Sequence, residues 1–293
     1  MLCILAGAAA ALMVMPYAVR WSRDDTSRLC TILEACRSRN PPRVVVFGDS
    51  TGMFGVDARQ LGGWNFCSPA QTLGESLLLQ QELPAGVTTV VQLVTHSQLA
   101  GNVAIEPDHY NAMLLCGYAP RAETRAAMVR VFGPDIARKM DVHPLAARLH
   151  AHRHVRAAIE GLARDLLRRD SSRARLTRDL YFPIPTGPGG GLLPERRFAA
   201  LAKERYVVRD AEVQLLREAA RSREHYLVVL APIHPRLNRG TLHCPAGVDC
   251  VDLTTLLSER EFQDPTHATR DGAMRVTKSI RDALAARGLL LRQ

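Results

Sequence analysis

Lysine is scarce in this sequence. Lys139, Lys203 and Lys278 are the only lysines among 38 basic residues, so the net charge of +9 is carried by arginine. No basic run is interleaved with aromatic residues. Nucleic acid is therefore the weakest of the possible partners. The arginine excess is typical of a solvated basic surface. A groove for an anionic glycan or a phospholipid surface stays open as the alternative.

Several cofactor motifs are also absent. The chain has no phosphate loop, no dinucleotide-binding glycine pattern, no zinc signature and no internal repeat. His150, His152 and His154 lie on a predicted helix, where the first and third share a face. No third ligand of matching spacing accompanies them. We therefore predict neither a cofactor nor a metal.

Charged residues are missing from the first 19 residues, which are mostly Ala, Leu, Met, Val and Ile. That length suits a membrane span or a secretory segment. No basic residue precedes it, whereas Arg20, Arg23 and Arg28 follow it. The positive-inside rule alone would keep the rest of the chain in the cytoplasm.

The cysteines favour the opposite topology. Cys30 and Cys36, like Cys244 and Cys250, are separated by five residues and could close small disulfide loops in an oxidising compartment. Free thiols are the alternative for each pair, as for Cys67 and Cys116. We predict that residues 1–19 anchor an exported domain at the membrane, in the bacterial periplasm or at the cell surface, and that residues 20–42 form a juxtamembrane linker.

Hydrophobic runs alternate with helical segments in residues 43–100, and the same rhythm returns after residue 225. Alternation of strand and helix predicts an α/β domain with a parallel sheet. The predicted strands are Val44–Phe47, Trp64–Cys67, Val87–Val94, Tyr226–Ala231 and Val248–Val251. Helices are predicted at Thr26–Arg37, Gly74–Leu83 and Thr269–Arg287.

The middle of the chain differs. Residues 101–225 are predicted to form a helical insertion in the domain that spans residues 43–293, with arginine-rich helices at Arg121–Phe132, Pro144–Arg169 and Arg196–Arg223. Residues 182–191 contain too many Pro and Gly residues for a regular element and predict an exposed loop.

The first predicted strand ends in Gly48-Asp49-Ser50, which places a serine hydroxyl at the carboxyl edge of the sheet, where ligands bind. A serine nucleophile needs a base that is itself oriented by a third group. Asp264-Pro-Thr-His267 can supply both, since an Asp three residues before a His can accept from Nδ1 and leave Nε2 facing the nucleophile. We expect these two ends of the chain to meet.

Together, Gly48-Asp-Ser50 and Asp264-x-x-His267 resemble the SGNH, or GDSL-like, hydrolase superfamily. The resemblance covers residues 43–100 and 226–287. It implies a flavodoxin-like three-layer sandwich in which Ser50 is the nucleophile, His267 the general base and then acid, and Asp264 the group that orients it.

Two further blocks of that superfamily are altered here. In Asn65-Phe-Cys-Ser-Pro-Ala70-Gln-Thr72, an alanine stands where glycine is usual. The resemblance implies an oxyanion hole formed by the backbone N–H groups of Ser50 and Ala70, and we expect the latter to contribute only if its φ is negative.

The third block, Gly-x-Asn-Asp, is absent, and Val94-Thr95-His96-Ser97 occupies its place. Thr95, His96 or Ser97 could replace the missing Asn donor. Asp49, Thr95, His96 and His234 are candidates for substrate binding, with a core or loop role as the alternative for either histidine.

These departures, the apolar N-terminus and Ala231-Pro-Ile-His234-Pro235 make the chain similar to a membrane-anchored branch that includes DltD-like and AlgJ/AlgX-like proteins. That branch works beside membrane-bound O-acyltransferases. We therefore expect a serine-dependent O-acyl esterase or acyltransferase, with O-acetyl favoured, acting on a cell-envelope or secreted polysaccharide. One alternative is an inert accessory protein that binds a glycan or a membrane O-acyltransferase, and another is a basic protein that binds anionic polymers.

Overall fold

The computed structural model of the protein describes residue 13 and residues 25–100, 104–143, 146–147, 198–199, 201 and 208–290. The predicted N-terminal anchor apart from Met13, the three histidines at 150, 152 and 154, and the loop predicted at residues 182–191 lie outside these residues. The chain divides into two compact units. One contains residues 1–39, 77–83 and 103–179, and the other contains residues 40–76, 84–102 and 180–293.

The second unit is built on a five-stranded parallel sheet flanked by helices, which confirms the predicted α/β class. The strand order is β2-β1-β3-β4-β5, an order compatible with a flavodoxin-like sandwich. All five predicted strands are present, β1 with the predicted bounds and the other four with shifted ones. They are β1 (Val44–Phe47), β2 (Gly63–Asn65), β3 (Thr89–Val94), β4 (His225–Leu230) and β5 (Cys250–Asp252).

Strands β1 and β3 form the centre of the sheet, and every residue in both is buried. Such strands are covered on both faces, which explains why their sequences run apolar without alternation. The register pairs Phe47 with Gln92 and Val94 with Leu230. The carboxyl ends of β1, β3 and β4 therefore lie side by side at one edge of the sheet.

The final helix holds the second unit together from the other end of the chain. It begins after Thr269, whose hydroxyl accepts from Gly272 N at 3.3 Å as an N-cap. Asp57 N donates to Thr277 Oγ1 on this helix at 2.9 Å, and the helix packs against the short helix that starts at Ser50. The helices of the described residues are α1 (Asp25–Ala35), α2 (Ser50–Gly55), α3 (Leu73–Gln80), α4 (His96–Ala100), α5 (Pro107–Leu115), α6 (Ala122–Phe132), α7 (Asp135–Met140), α8 (Asp210–Arg221) and α9 (Arg270–Ala286).

None of the helices in the described ranges combines the length and the apolar character that a membrane crossing requires. Within the predicted insertion, α6 agrees with the prediction, and α5 and α7 were not predicted. Helix α8 begins at Asp210 rather than at residue 196, because Arg209 is extended and forms its N-cap. The prediction at Pro144–Arg169 lies outside the described residues, except for residues 146 and 147.

One of the two short disulfide loops considered from the sequence is present, and the other is not. Cys30 bonds to Cys116, and Cys244 bonds to Cys250, which is the disulfide alternative that we left open for that pair. A Cys30–Cys36 bond is wrong because six residues of helix separate two Cα atoms by roughly 9 Å, beyond the reach of a disulfide. In the first unit α1 packs on α5, so residues 25–35 of the predicted linker form part of a core. Cys36 of the first unit and Cys67 of the second are buried and take part in neither disulfide.

Candidate active site

Ser50 is the first residue of α2, directly after the turn that ends β1. Asp49 caps this helix, and its Oδ1 accepts from Thr51 N at 2.8 Å. Two residues along, a Cβ added to Gly52 would lie 2.6 Å from Cys67 Sγ, so only glycine lets the helix sit this close to the segment after β2. The local sequence thereby fixes the serine at the carboxyl edge of the sheet.

Ser50, His267 and Asp264 form a continuous hydrogen-bonded chain. His267 Nε2 lies 3.0 Å from Ser50 Oγ, and His267 Nδ1 lies 2.7 Å from Asp264 Oδ2. Ser50 and His267, which are 217 positions apart in the sequence, thus meet as expected. These distances lie in the range that proton transfer between a nucleophile, a base and an orienting carboxylate requires.

The carboxylate of Asp264 is held ionised by its hydrogen bonds. Burial alone would raise its pKa, but donation from the His267 ring and from the backbone of Thr266 and His267 outweighs burial and holds the pKa well below its usual range. Thr266 Oγ1 also lies 3.0 Å from Asp264 Oδ1. An ionised carboxylate at this place favours the tautomer of His267 whose Nδ1 carries the proton.

The loop that carries Asp264 and His267 is closed by backbone hydrogen bonds. Phe262 and Ala268 form an isolated antiparallel bridge, and Gln263 N donates to His267 O at 2.9 Å. The edge of the Phe54 ring meets the His267 ring, with centroids 5.1 Å apart. The imidazole is therefore positioned by its own loop and by an aromatic side chain from α2.

Ala70 adopts a left-handed conformation, with φ of 52°. The condition that we set for a donor at this place, a negative φ, is therefore not met. A non-glycine residue in this region is strained by roughly 1 kcal/mol and persists only where its surroundings hold it. Ala70 lines the pocket beside Ser50. Its backbone has the conformation that a glycine would adopt there without strain.

Buried amide side chains hold the segment around Ala70. Gln71 Oε1 accepts from Gly48 N at 3.2 Å, and Gln98 Nε2 donates to Gln71 O at 2.8 Å. Asn65 is fully buried, and its Nδ2 donates to Gly52 O and Val56 O at 3.1 and 2.9 Å. These bonds tie the segment after β2 to the turn of Ser50 and explain how the strain at Ala70 persists.

The end of β3 supplies Thr95, His96 and Ser97 to the same pocket. Thr95 Oγ1 donates to Asp49 Oδ2 at 2.7 Å, so this pair supports the turn of Ser50. Burial lowers the pKa of His96, which keeps its half-buried ring neutral at neutral pH. Of the residues predicted to bind substrate, Asp49, Thr95 and His96 therefore line the site.

His234 lies elsewhere, because its side chain is only 3% exposed and is not among the described residues that line the pocket. Its ring packs between Phe198 and Phe262, with centroid distances of 4.8 and 5.0 Å. Burial lowers its pKa, and its Nδ1 accepts from Arg236 N at 3.3 Å. The structure makes it a core residue of the loop after β4.

The pocket beside Ser50 has a volume of about 600 Å³. The ends of β1 and β3 give it a polar wall, and the segment after β4 gives it an apolar one. Thr51, Leu201, Arg239, Thr241, Pro265 and Thr266 also line it. The described residues contain no cluster of His, Cys, Asp and Glu that could hold a metal ion.

Sequence reasoning missed three residues that organise this site: Gln71, Gln98 and Thr266. Thr266 had a signal, because it lies between Asp264 and His267 in the sequence. The two glutamines had none, since their partners are backbone groups that only the fold brings near. Neither a scan against models of protein families nor a search of curated proteins found a match to this chain.

Proposed function

We propose that the protein is a serine-dependent O-acyl esterase or acyltransferase with the SGNH hydrolase fold. The observation that carries the proposal is the pair of distances in the hydrogen-bonded chain, 3.0 Å from His267 Nε2 to Ser50 Oγ and 2.7 Å from His267 Nδ1 to Asp264 Oδ2. The strand order β2-β1-β3-β4-β5 supports the proposed fold.

The geometry supports acyl transfer in two halves. Ser50 Oγ attacks the ester carbonyl while its proton passes to His267 Nε2, and Asp264 stabilises the imidazolium. Collapse of the tetrahedral intermediate breaks the ester bond, and His267 returns the proton to the leaving alcohol. Water, or a hydroxyl of an acceptor, then attacks the acyl-Ser50 ester by the same steps in reverse.

The backbone N–H groups of Ser50 and Ala70 are the donors that we assign to the oxyanion. Ala70 is retained although its φ is not negative, because its left-handed backbone is the conformation that a glycine at this place would adopt. Thr51 N is engaged by Asp49 and Thr95 Oγ1 donates to the same carboxylate, so neither is assigned to it. Each lost oxyanion donor costs on the order of 10²–10³ in rate. A hole without the Asn of the third block is consistent with a slower esterase or with transfer to a positioned acceptor.

An extracytoplasmic O-acylated polysaccharide is the substrate that we propose. Two disulfides support an oxidising compartment, and Arg239 and Thr241 offer the pocket donors for sugar oxygens or carboxylates. The N-terminal segment would anchor the protein beside a membrane-bound O-acyltransferase partner. An inert accessory protein would be favoured if Ser50 and His267 lay far apart, and they do not.

Replacement of the nucleophile tests the proposal. We expect Ser50→Ala to lower kcat for a chromogenic acetyl ester by about 10⁴-fold or more and to abolish labelling by a serine-directed phosphonate. Ser222→Ala is the matched control, because that hydroxyl only caps a backbone carbonyl at the end of α8. Full activity of Ser50→Ala would falsify the assignment.

A further inference from the structure

We propose that the pocket beside Ser50 binds an acyl chain longer than acetyl, along the apolar segment that follows β4. This inference rests on the proposed function and names the acyl class of the same site. The resemblance in sequence favours an acetyl group, whereas the volume and lining of the pocket favour a longer one.

The lining of the pocket changes character along the sheet edge. Next to Ser50 it consists of polar groups from the ends of β1 and β3, whereas the segment after β4 contributes Ala231, Pro232, Ile233 and Leu237. Ile233 and Leu237 are half-buried, so part of their aliphatic surface still faces water. An apolar ligand would cover that surface, which is favourable in proportion to the area removed from water.

An acetyl group does not reach this wall. Strands β1, β3 and β4 are consecutive neighbours in the sheet. Because neighbouring strands lie about 4.8 Å apart, the segment after β4 begins roughly 10 Å from the turn of Ser50. A pocket of about 600 Å³ leaves room across that distance. A linear acyl chain attached to Ser50 can extend across that distance to the apolar residues.

The apolar wall is held in a fixed shape by the core beneath it. Ile233 N donates to Thr254 O at 3.0 Å, and Leu237 N donates to His234 O at 2.7 Å. His234 is in turn packed between Phe198 and Phe262. This gives His234 a positioning role, because its buried ring supports the turn that presents Ile233 and Leu237 to the pocket.

Chain-length dependence tests the inference. We expect kcat/KM of the wild type for p-nitrophenyl esters to rise from acetyl through butyryl to octanoyl, by up to about fourfold for each methylene group that leaves water. Ile233→Asp should lower the octanoyl-to-acetyl ratio of kcat/KM by about tenfold or more. Val208→Gln is the matched control, since Val208 is an exposed aliphatic residue that is not among the described residues lining the pocket, and its ratio should stay at the wild-type value.

A binding measurement separates this inference from the proposed chemistry. Octanoate and acetate are titrated calorimetrically into full-length Ser50→Ala, and into Ser50→Ala/Ile233→Asp. We expect octanoate to bind the first protein and to bind the second about tenfold more weakly, with no detectable binding of acetate.

The hydrolysis and binding results together distinguish failure of the acyl-chain site from failure of the proposed function. Ester hydrolysis that depends on Ser50 but does not favour longer chains, together with no octanoate binding, overturns the acyl-chain site and leaves the proposed function standing. Octanoate binding that is sensitive to Ile233, in a protein that hydrolyses none of the esters, supports the apolar site and overturns the proposed function. Loss of both results overturns both proposals.

Discussion

At the scale of single residues, Asp264 can be tested by a substitution that keeps its size, from a carboxylate to an amide. Replacement of its carboxylate by an amide in Asp264→Asn places a donor where His267 Nδ1 requires an acceptor, which favours the wrong tautomer of the ring. We expect kcat for a chromogenic ester to fall by about 10⁴-fold. A kcat within tenfold of the wild type would remove Asp264 from the mechanism.

The same variant reports on the depressed pKa of Asp264. The unfolded chain takes up a proton at this position near pH 4, whereas the folded chain does so only at lower pH. The stability contributed by the carboxylate is therefore complete above the unfolded pKa and is lost as the pH falls through the folded one. We expect the difference in free energy of unfolding between wild type and Asp264→Asn, measured with urea, to be constant from about pH 5 to 8 and to shrink below about pH 4. A difference that stays constant down to about pH 3 contradicts this.

Ala70 stores strain beside Ser50. Ala70→Gly removes the Cβ that opposes the left-handed φ, a gain of about 1 kcal/mol that the greater freedom of glycine in the unfolded chain partly offsets. We expect the free energy of unfolding to stay level or rise. Ala70→Val should cost at least about 1 kcal/mol more and lower kcat by about 10² or more, because a β-branched residue resists positive φ and turns the amide away. Equal unfolding midpoints for the two variants would contradict the strain.

At the scale of elements, Gln98 of α4 joins the end of β3 to the segment after β2. Its Oε1 accepts from Thr95 N at 3.1 Å, and its Nε2 donates to Gln71 O at 2.8 Å. Gln98→Leu leaves both backbone groups unpaired, so we expect a loss of about 2–4 kcal/mol in the free energy of unfolding and a lower kcat. Gln214→Leu is the control, since that amide bonds only within α8 and should change stability by less than about 0.5 kcal/mol. Equal unfolding midpoints for the two variants would show that Gln98 does not hold these elements.

The features that could be predicted from the sequence are those that depend on residues close together in the chain. The apolar runs of β1 and β3 show their burial directly, and the spacing of Asp264 and His267 anticipates their hydrogen bond. The left-handed φ of Ala70 could not be predicted, because the hydrogen bonds that hold it join the neighbouring Gln71 to Gly48 and Gln98, which lie far from it in the sequence. The burial of His234 likewise depends on two phenylalanines that are far apart in the sequence. Helix α5 escaped prediction because its buried residues include His109 and Asn111, which break the apolar pattern.

At the scale of the whole molecule, the two disulfides differ in the length of chain that they close. Cys30–Cys116 spans 86 positions and Cys244–Cys250 spans six. Loop-closure entropy predicts a loss of about 4.5 kcal/mol on removal of the first and about 2 kcal/mol on removal of the second. We expect the Cys30→Ala/Cys116→Ala variant to unfold at a clearly lower temperature than Cys244→Ala/Cys250→Ala, as measured by calorimetry. The reverse order would show that the long loop is already restricted in the unfolded chain.

Each unit contains one buried thiol, Cys36 in the first and Cys67 in the second. The rate at which each thiol is modified therefore reports how often its own unit opens. A thiol that is shielded from solvent reacts with an aromatic disulfide reagent only when the protein around it opens. In a Cys3→Ala background, mass spectrometry can follow the modification of each thiol separately over time. Matching rates would mean that the chain opens as a single cooperative body. Unequal rates would mean that the two units open independently, and the rate at Cys67 would report how often the segment near Ser50 opens.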